Sequence, residues 1–335
     1  MIHELLKLKE SYILAQTIGL KSVIATVVSI EGSSYRRPGV RMLIFENDTM
    51  VGAVSGGCVE NEILKQSQSV FLDNKAKIMI YDGRYRLGCE GILYILLELF
   101  SPDAAVLDAL ETVVKKRQTL QIESFYTKTE GIQPGLGSEF HFEGRNFAFS
   151  NIQLDKTLLA YTQILQPRFH LIIIGSEHDA VQLCQFASLT GWQITIVASL
   201  KDPKTIANFP GANQVLHLLP EEIDSLSIDS ETAVMLMTHS YSTDLKFLTG
   251  LKNTQPAYLG LLGPVKRRNQ ILNDFFEFTD SYNENLLDVT YGPSGISIGA
   301  ETPQEIAISI IAEILSVVRK EEPISLKYKN SAIHS

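Results

Sequence analysis

The chain has 335 residues, which suits two domains, and 45% of them are hydrophobic, so it can bury real cores and is not a disordered protein. Its formal net charge of -9 argues against a general nucleic-acid binder, which would carry a basic surface. No apolar run is long enough to span a membrane and residues 1–10 lack the apolar segment of a secretory signal, so we expect a cytoplasmic protein without membrane insertion.

Residues 1–165 alternate strand patterns with helix patterns, and we predict a mixed α/β domain. The predicted helices cover 2–18, 60–71 and 104–117. The predicted strands cover 22–30, 42–45, 50–54, 77–81, 92–97 and 119–126. Residues 127–165 are rich in turn residues, with a hairpin pattern at 141–150, and we interpret them as the end of the domain plus a linker.

An arginine-bearing loop connects the first two predicted strands. It contains Arg36, Arg37 and Arg41 among glycines, serines and a proline. Arginine forks match the geometry of phosphate oxygens. The loop is therefore either a solvated turn or an anion-binding loop.

A glycine turn carries a cysteine at the start of the second predicted helix. Gly56 and Gly57 precede Cys58, and Cys89 lies in a second glycine-bearing stretch before a buried strand. Glycines let a ligand approach the backbone, and a helix N-terminus favours the thiolate form of a cysteine. Buried apolar cysteines are common, so a packing role stays open for both. The three cysteines lack a C-x-x-C pair, which indicates a reduced protein without a disulfide framework or a closed structural zinc site.

A second domain begins at residue 166 and extends to 320, followed by a tail at 321–335. A continuous apolar run at 169–174 ends at Gly175, and a helix pattern and a second strand at 193–198 follow. This βαβ spacing predicts a Rossmann-like, doubly wound parallel sheet, with later strands at 233–237 and 257–262. Cys184 falls on the apolar face of the helix and is expected in the core.

The dinucleotide fingerprint is broken in this domain. Glu177 stands where the second glycine of G-x-G-x-x-G is needed, and a carboxylate there repels a pyrophosphate. Ala198 stands near the position of the acidic residue that binds the ribose. We therefore expect no NAD(P) binding in the usual mode.

Other candidate ligand residues follow the predicted strands of the second domain. They are His178 beside Gly175, His239 after the strand at 233–237, and Lys266 and Arg267 after the strand at 257–262. Ligands of such sheets bind at the carboxyl ends of the strands. A structural histidine and a solvated helix start are the competing interpretations.

The last predicted helix, residues 306–319, follows a capping box from Thr302 to Glu305 with a proline at the first helical position. It is apolar around most of its circumference, so we expect it to be buried.

Taken together, these motifs resemble the XdhC/CoxI family, accessory proteins of xanthine dehydrogenase. The resemblance rests on 32–42 and 55–60 in the first domain and on 172–178, 238–239 and 258–268 in the second. It is strongest at 298–307. The family usually has glycine at position 177.

The resemblance implies a chaperone that binds molybdenum cofactor, supports its sulfuration by a cysteine desulfurase and delivers it to a xanthine dehydrogenase-type molybdenum hydroxylase. It also implies Cys58 as a molybdenum ligand, phosphate binding by the arginine loop and, with the apolar last helix, a homodimer. Two alternatives stay open: an NAD(P)-dependent oxidoreductase and a scaffold that carries no cofactor.

Overall fold

The computed structural model describes residues 2–32, 37–85 and 91–328. The chain divides into two compact units, Met1–Pro167 and Arg168–Ser335. Within the described ranges, no helix combines the length and the apolar character that crossing a bilayer requires.

Unit 1 consists of two antiparallel sheets and the helices packed on them. Its helices are α1 (Ile2–Thr17), α2 (Cys58–Asp73) and α3 (Ala104–Lys115). Its strands are β1 (Ser22–Glu31), β2 (Arg41–Phe45), β3 (Met50–Gly52), β4 (Lys77–Asp82), β5 (Ile92–Leu99), β6 (Leu120–Tyr126), β7 (Gly131–Ile132), β8 (Gly137–Phe142), β9 (Arg145–Ala148) and β10 (Leu159–Leu165). The first sheet has the order β3-β2-β1-β5-β4-β7, and the second sheet has the order β10-β6-β8-β9.

The first sheet is covered on both faces, which explains why its central strands are continuous apolar runs. On one face, Val59, Ile63 and Val70 of α2 pack against β1, β2, β4 and β5. The other face packs with α1, α3 and the second sheet in another core. Burial on both faces removes the alternation of apolar and polar residues that a half-exposed strand shows.

The linker interpretation of residues 127–165 is wrong. This stretch contains β7 to β10, and β10 pairs along its whole length with β6. Its turn residues mark tight connections between antiparallel strands. The predicted hairpin at 141–150 is confirmed, with Glu143 and Gly144 at the turn between β8 and β9, both with positive φ.

Unit 2 is a Rossmann-type domain. Its strands are β11 (His170–Ile174), β12 (Gln193–Val197), β13 (Gln214–Leu216), β14 (Thr232–Leu236), β15 (Tyr258–Leu261) and β16 (Thr290–Tyr291). Its helices are α4 (His178–Leu189), α5 (Tyr241–Gly250), α6 (Val265–Phe278), α7 (Glu284–Asp288) and α8 (Pro303–Arg319). All neighbours in the sheet are parallel, in the order β13-β12-β11-β14-β15-β16. This is the doubly wound order, and it confirms the predicted fold class.

Helix α8 packs beside α4 on one face of this sheet. Its capping box is present: Thr302 Oγ1 accepts from the Glu305 amide at 3.3 Å, and Glu305 Oε2 accepts from the Thr302 amide at 2.9 Å. The helix buries one face, including Ile310 and Ile314, whereas Ile308 stays 46% exposed. The prediction that this helix is buried therefore holds for one face only. Cys184 is fully buried in the same core, as predicted.

Candidate functional site

Three loops of unit 1 leave the first sheet at the same end. Glu31, at the end of β1, pairs with Ile92 at the start of β5, and Ile92 also pairs with Asp82 at the end of β4. Met42, near the start of β2, pairs with Gly52 at the end of β3. Three segments are therefore attached at this one end of the strands: the arginine loop before β2, the glycine turn after β3, and the connection from β4 to β5.

Cys58 is the first residue of α2 and is exposed. The N-cap residue, Gly57, has φ 64°, which is a left-handed conformation that favours glycine. Apart from the adjoining residues of the chain, no atom of residues 2–32, 37–85 or 91–328 lies within 4 Å of the Cβ that a side chain would add at Gly56 or Gly57. Within the described residues, the backbone beside the thiol is thus open to a ligand.

Glu60 shapes this turn from inside the helix. Its Oε1 accepts from the amides of Val54 at 3.0 Å and Ser55 at 2.7 Å, and the residue is only 7% exposed. It occupies the third helical position, where a capping-box glutamate reaches back to the preceding chain. The sequence pattern marks Glu60 only as the start of a helix, although a glutamate three positions after a cap residue is a recognisable signal.

Arg37 and Arg41 occupy different environments. Arg37 is exposed in the loop. Arg41 lies on β2 and is 9% exposed, and its Nη1 donates to the Gly39 carbonyl at 3.0 Å and to Gln163 Oε1 on β10. The placement of Arg41 in an exposed anion-binding loop is therefore wrong, because the chain has already entered the first sheet at this residue. Its burial lowers the pKa of the guanidinium to about 10, and charged neighbours oppose that shift.

A buried carboxylate, Glu98 on β5, lies between the two sheets of unit 1. Its Oε2 accepts from the Ser138 amide at 2.9 Å, and its Oε1 accepts from the Ser138 hydroxyl at 2.5 Å. Burial raises the pKa of Glu98 to about 7, against the opposing effect of the Ser138 hydrogen bonds and the Arg41 charge. A strand prediction from apolar runs gives no sign of this group.

Two residues singled out by the sequence, Arg36 and Cys89, lie outside the described residues. Of the remaining candidates in unit 1, the structure places Gly56, Gly57 and Cys58 in one open turn. Arg37 belongs to a loop that leaves the same end of the first sheet.

The switch point of the unit 2 sheet lies between β11 and β14. Gly175 follows β11 with φ 145°, and a Cβ there would lie 2.4 Å from the Met237 carbonyl oxygen, so only glycine fits. His239, after β14, has φ 58°, and its Nε2 is 3.3 Å from Asp179 Oδ2 in the first turn of α4. His178 is exposed in the same turn. Gly175, His178 and His239 thus all lie at the carboxyl ends of β11 and β14, where ligands of such sheets bind.

A cleft of about 390 Å³ lies at this edge, lined partly by residues around Gly175, Ala198 and Thr238. Glu177 is the N-cap residue of α4, is exposed and lines the cleft, so the helix N-terminus that binds a pyrophosphate in the usual mode carries a negatively charged residue here. Ala198 is 2% exposed and offers no side-chain acceptor for a ribose hydroxyl. Both positions therefore disfavour the usual dinucleotide mode.

The two basic candidates on α6 have different environments: one is exposed and the other is ion-paired. Lys266 is exposed. Arg267 Nη2 lies 2.7 Å from Asp244 Oδ2, and Asp244 also accepts from the Thr238 hydroxyl at 2.6 Å. Arg267 therefore braces the loop after β14 through Asp244. Sequence reasoning misses Asp244, which is 2% exposed, because an aspartate in the first turn of a helix is usually a solvated residue.

Comparison with known proteins agrees with this architecture. Residues 17–82 match the model of the XdhC and CoxI family, and residues 171–314 match the model of the XdhC Rossmann domain. The chain belongs to the XdhC/CoxI family.

Two curated relatives match this XdhC/CoxI protein over most of their length. A Bacillus subtilis (strain 168) protein, named as a probable subunit of xanthine dehydrogenase, is 27% identical over 319 residues, covering 90% of this chain and 94% of the relative. The molybdenum cofactor insertion chaperone PaoD of Escherichia coli (strain K12) is 25% identical over 306 residues, covering 91% and 86%. A solved structure of a xanthine dehydrogenase from Bacillus halodurans superposes with a TM-score of 0.77 at 26% identity, covering 95% of this chain and 98% of that one.

These matches confirm the resemblance that the sequence showed and the Rossmann assignment of unit 2. The roles of individual site residues stay predictions.

Proposed function

We propose that this protein is an accessory factor that binds molybdenum cofactor as cargo and serves a xanthine dehydrogenase-type molybdenum hydroxylase. Membership of the XdhC/CoxI family supports an accessory role, and one relative is named a molybdenum cofactor insertion chaperone. The observation that carries the proposal is the exposed thiol of Cys58 on an open glycine turn at a helix N-terminus.

The chemistry of this turn suits a molybdenum dithiolene that carries a phosphate. A thiolate is a soft ligand of the kind that suits molybdenum, and the Cys58 sulfur is exposed. The bare backbone of Gly56 and Gly57 lets a bulky group approach the sulfur. Arg37 offers a guanidinium for the phosphate, together with Arg36.

Glu60 gives the turn its shape without touching the cargo. By accepting two loop amides, it holds the chain before Cys58 in one conformation. A turn that is already ordered loses less conformational entropy when the cargo binds. We therefore assign Glu60 a positioning role in the proposed site.

We also propose that a cysteine desulfurase sulfurates the cargo and that this protein delivers it to the client hydroxylase. We further propose that the protein acts as a homodimer in the cytoplasm. The oxidoreductase alternative has less support, because Glu177 places a carboxylate at the N-terminus of α4. The scaffold alternative predicts partner binding that does not depend on pterin.

The experiment is cofactor retention. Purified protein is incubated anaerobically with molybdenum cofactor and desalted, and the oxidised eluate is read by pterin fluorescence. We expect stoichiometric pterin with the wild type, a loss with Cys58→Ala, and no loss with the control Cys184→Ala, whose thiol is buried in unit 2. No pterin with reduced wild-type protein would contradict cofactor binding. Equal retention by Cys58→Ala would contradict only the role of Cys58.

A further inference from the structure

A second cluster of ligand-type side chains lies on the second sheet of unit 1, apart from the proposed cofactor turn. Glu123 on β6 pairs directly with Glu139 on β8. His141 is two residues further along β8, so it projects from the same face. One ligand atom from each of the three lies within 4.8 Å of the other two.

The distances suit a small divalent cation. His141 Nε2 lies 3.0 Å from Glu123 Oε2 and 3.9 Å from Glu139 Oε1. A tetrahedral zinc ion with ligand bonds of about 2.1 Å holds its ligand atoms about 3.4 Å apart. The two observed separations bracket that value, and the two carboxylate oxygens lie within 4.8 Å of each other, so closing the site requires changes of side-chain torsions.

Neighbouring amides orient both carboxylates. Gln121 Nε2 donates to Glu123 Oε1 at 3.1 Å, and Asn146 Nδ2 donates to Glu139 Oε1 at 3.0 Å. Such second-layer hydrogen bonds are typical of ligating carboxylates, whose geometry they fix. The other oxygen of Glu123, Oε2, contacts His141 Nε2, whereas Glu139 Oε1 accepts from both Asn146 and Lys156, so Lys156 must leave before a metal binds this oxygen.

The burial of Glu139 is the observation that separates this cluster from an ordinary acidic surface. Its side chain is 7% exposed, and it stands directly opposite Glu123, which is 24% exposed. Like charges directly opposite each other destabilise a sheet, and a buried carboxylate needs a counter-charge. Lys156 supplies one at 2.8 Å, but its side chain is 57% exposed and can move away.

We propose that Glu123, Glu139 and His141 bind a divalent cation such as zinc on the face of the second sheet opposite the one that packs in the core, with Lys156 occupying part of the site when no metal is bound. Imidazole with carboxylates suits zinc and its first-row neighbours better than it suits magnesium or calcium, which prefer oxygen ligands alone. Three protein ligands leave a coordination position for solvent or a small ligand. The site is independent of the proposed cofactor function.

The test is equilibrium dialysis of tag-free, full-length protein against Zn²⁺, with Mg²⁺ as the comparison ion. A Cys58→Ser, Cys89→Ser background removes competing thiolates. We expect one zinc ion per chain. His141→Ala and Glu139→Gln each remove a direct ligand, so each should weaken zinc affinity by more than the roughly 10–100-fold that is typical for loss of a hydrogen-bond partner of a ligand. His217→Ala, which removes a half-buried imidazole of unit 2 outside any site proposed above, is the matched control and should leave zinc binding unchanged.

Lys156→Ala distinguishes a metal site from a plain ion-pair cluster. Removing a competing ammonium should tighten zinc binding severalfold, whereas it has no reason to do so if the cluster is only a salt-bridge network. Circular dichroism of each variant checks that the second sheet is intact, and Glu123→Gln replaces any variant that does not fold. Absence of stoichiometric zinc in both the background protein and Lys156→Ala, or binding unaffected by His141→Ala, overturns the proposal.

Discussion

The buried carboxylate of Glu98 should make unit 1 less stable as the pH rises through neutrality. Its pKa in the folded protein is raised from the ordinary value of 4.5 to about 7. Between these two values the folded state binds a proton that the unfolded state has lost. Stability therefore falls with rising pH across this window and levels off above the folded pKa.

The magnitude follows from the size of the shift. One pKa unit corresponds to about 1.4 kcal/mol, so the whole window is worth about 3 kcal/mol. Between about pH 5.5 and about pH 8.5 the expected loss is about 2 kcal/mol. Glu98→Gln keeps the shape and an acceptor for the Ser138 amide but cannot ionise, so the variant should lack this component of the pH dependence.

The assay is native-state hydrogen exchange of the full-length protein, followed in peptides from β5 and β8. The quantity compared is the difference in free energy of opening between wild type and Glu98→Gln at each pH, which cancels the other titrating groups. Unfolding of unit 2 is followed separately by the fluorescence of Trp192, which lies in that unit and is the only tryptophan in the chain. A difference that does not change with pH would refute the reasoning, because Glu98 would then keep one protonation state throughout.

Three further outcomes are expected. When the native protein is alkylated and the labelled peptides are mapped, Cys58 should react and Cys184 should not. Cys58 is exposed, whereas burial raises the pKa of the Cys184 thiol to about 11. Equal labelling of both peptides would contradict this prediction. Thr302→Ala should destabilise unit 2 by about 1 kcal/mol through loss of the α8 cap, measured by urea unfolding with Trp192 fluorescence, and Thr302→Ser should restore it. Glu60→Ala, which frees two loop amides, should increase hydrogen exchange at the start of α2, whereas Glu60→Gln retains an acceptor and should change it less.

The sequence predicts the Rossmann unit well because its strands are buried on both faces. Residues 169–174 and 233–237 are continuous apolar runs followed by turns, and the structure has β11 and β14 there. The short strands β13 and β16 escape prediction. They contain three and two residues and lack an apolar run of their own, so their pairing depends on neighbours distant in sequence.

The parts of unit 1 that the sequence predicts poorly are those whose environment comes from the opposite sheet. β10 falls in the stretch interpreted as a linker, because most of its residues are exposed or half-buried. Arg41 is predicted in an exposed loop because a single arginine gives no sign of the Gln163 side chain that receives it. Contacts across 122 residues of sequence leave no local periodicity to detect.

The broken fingerprint in unit 2 has a physical consequence for what its cleft can bind. The fold keeps the close approach of Gly175 to β14, which a dinucleotide site also needs, and yet it presents Glu177 at the helix N-terminus. The Glu177 side chain makes no cap hydrogen bond to α4, but it adds a negative charge at this helix N-terminus. Asp179 in the same turn lies 3.3 Å from His239, so the acidic character of this edge is shared by two residues. A pyrophosphate would therefore meet repulsion at the α4 end of this cleft.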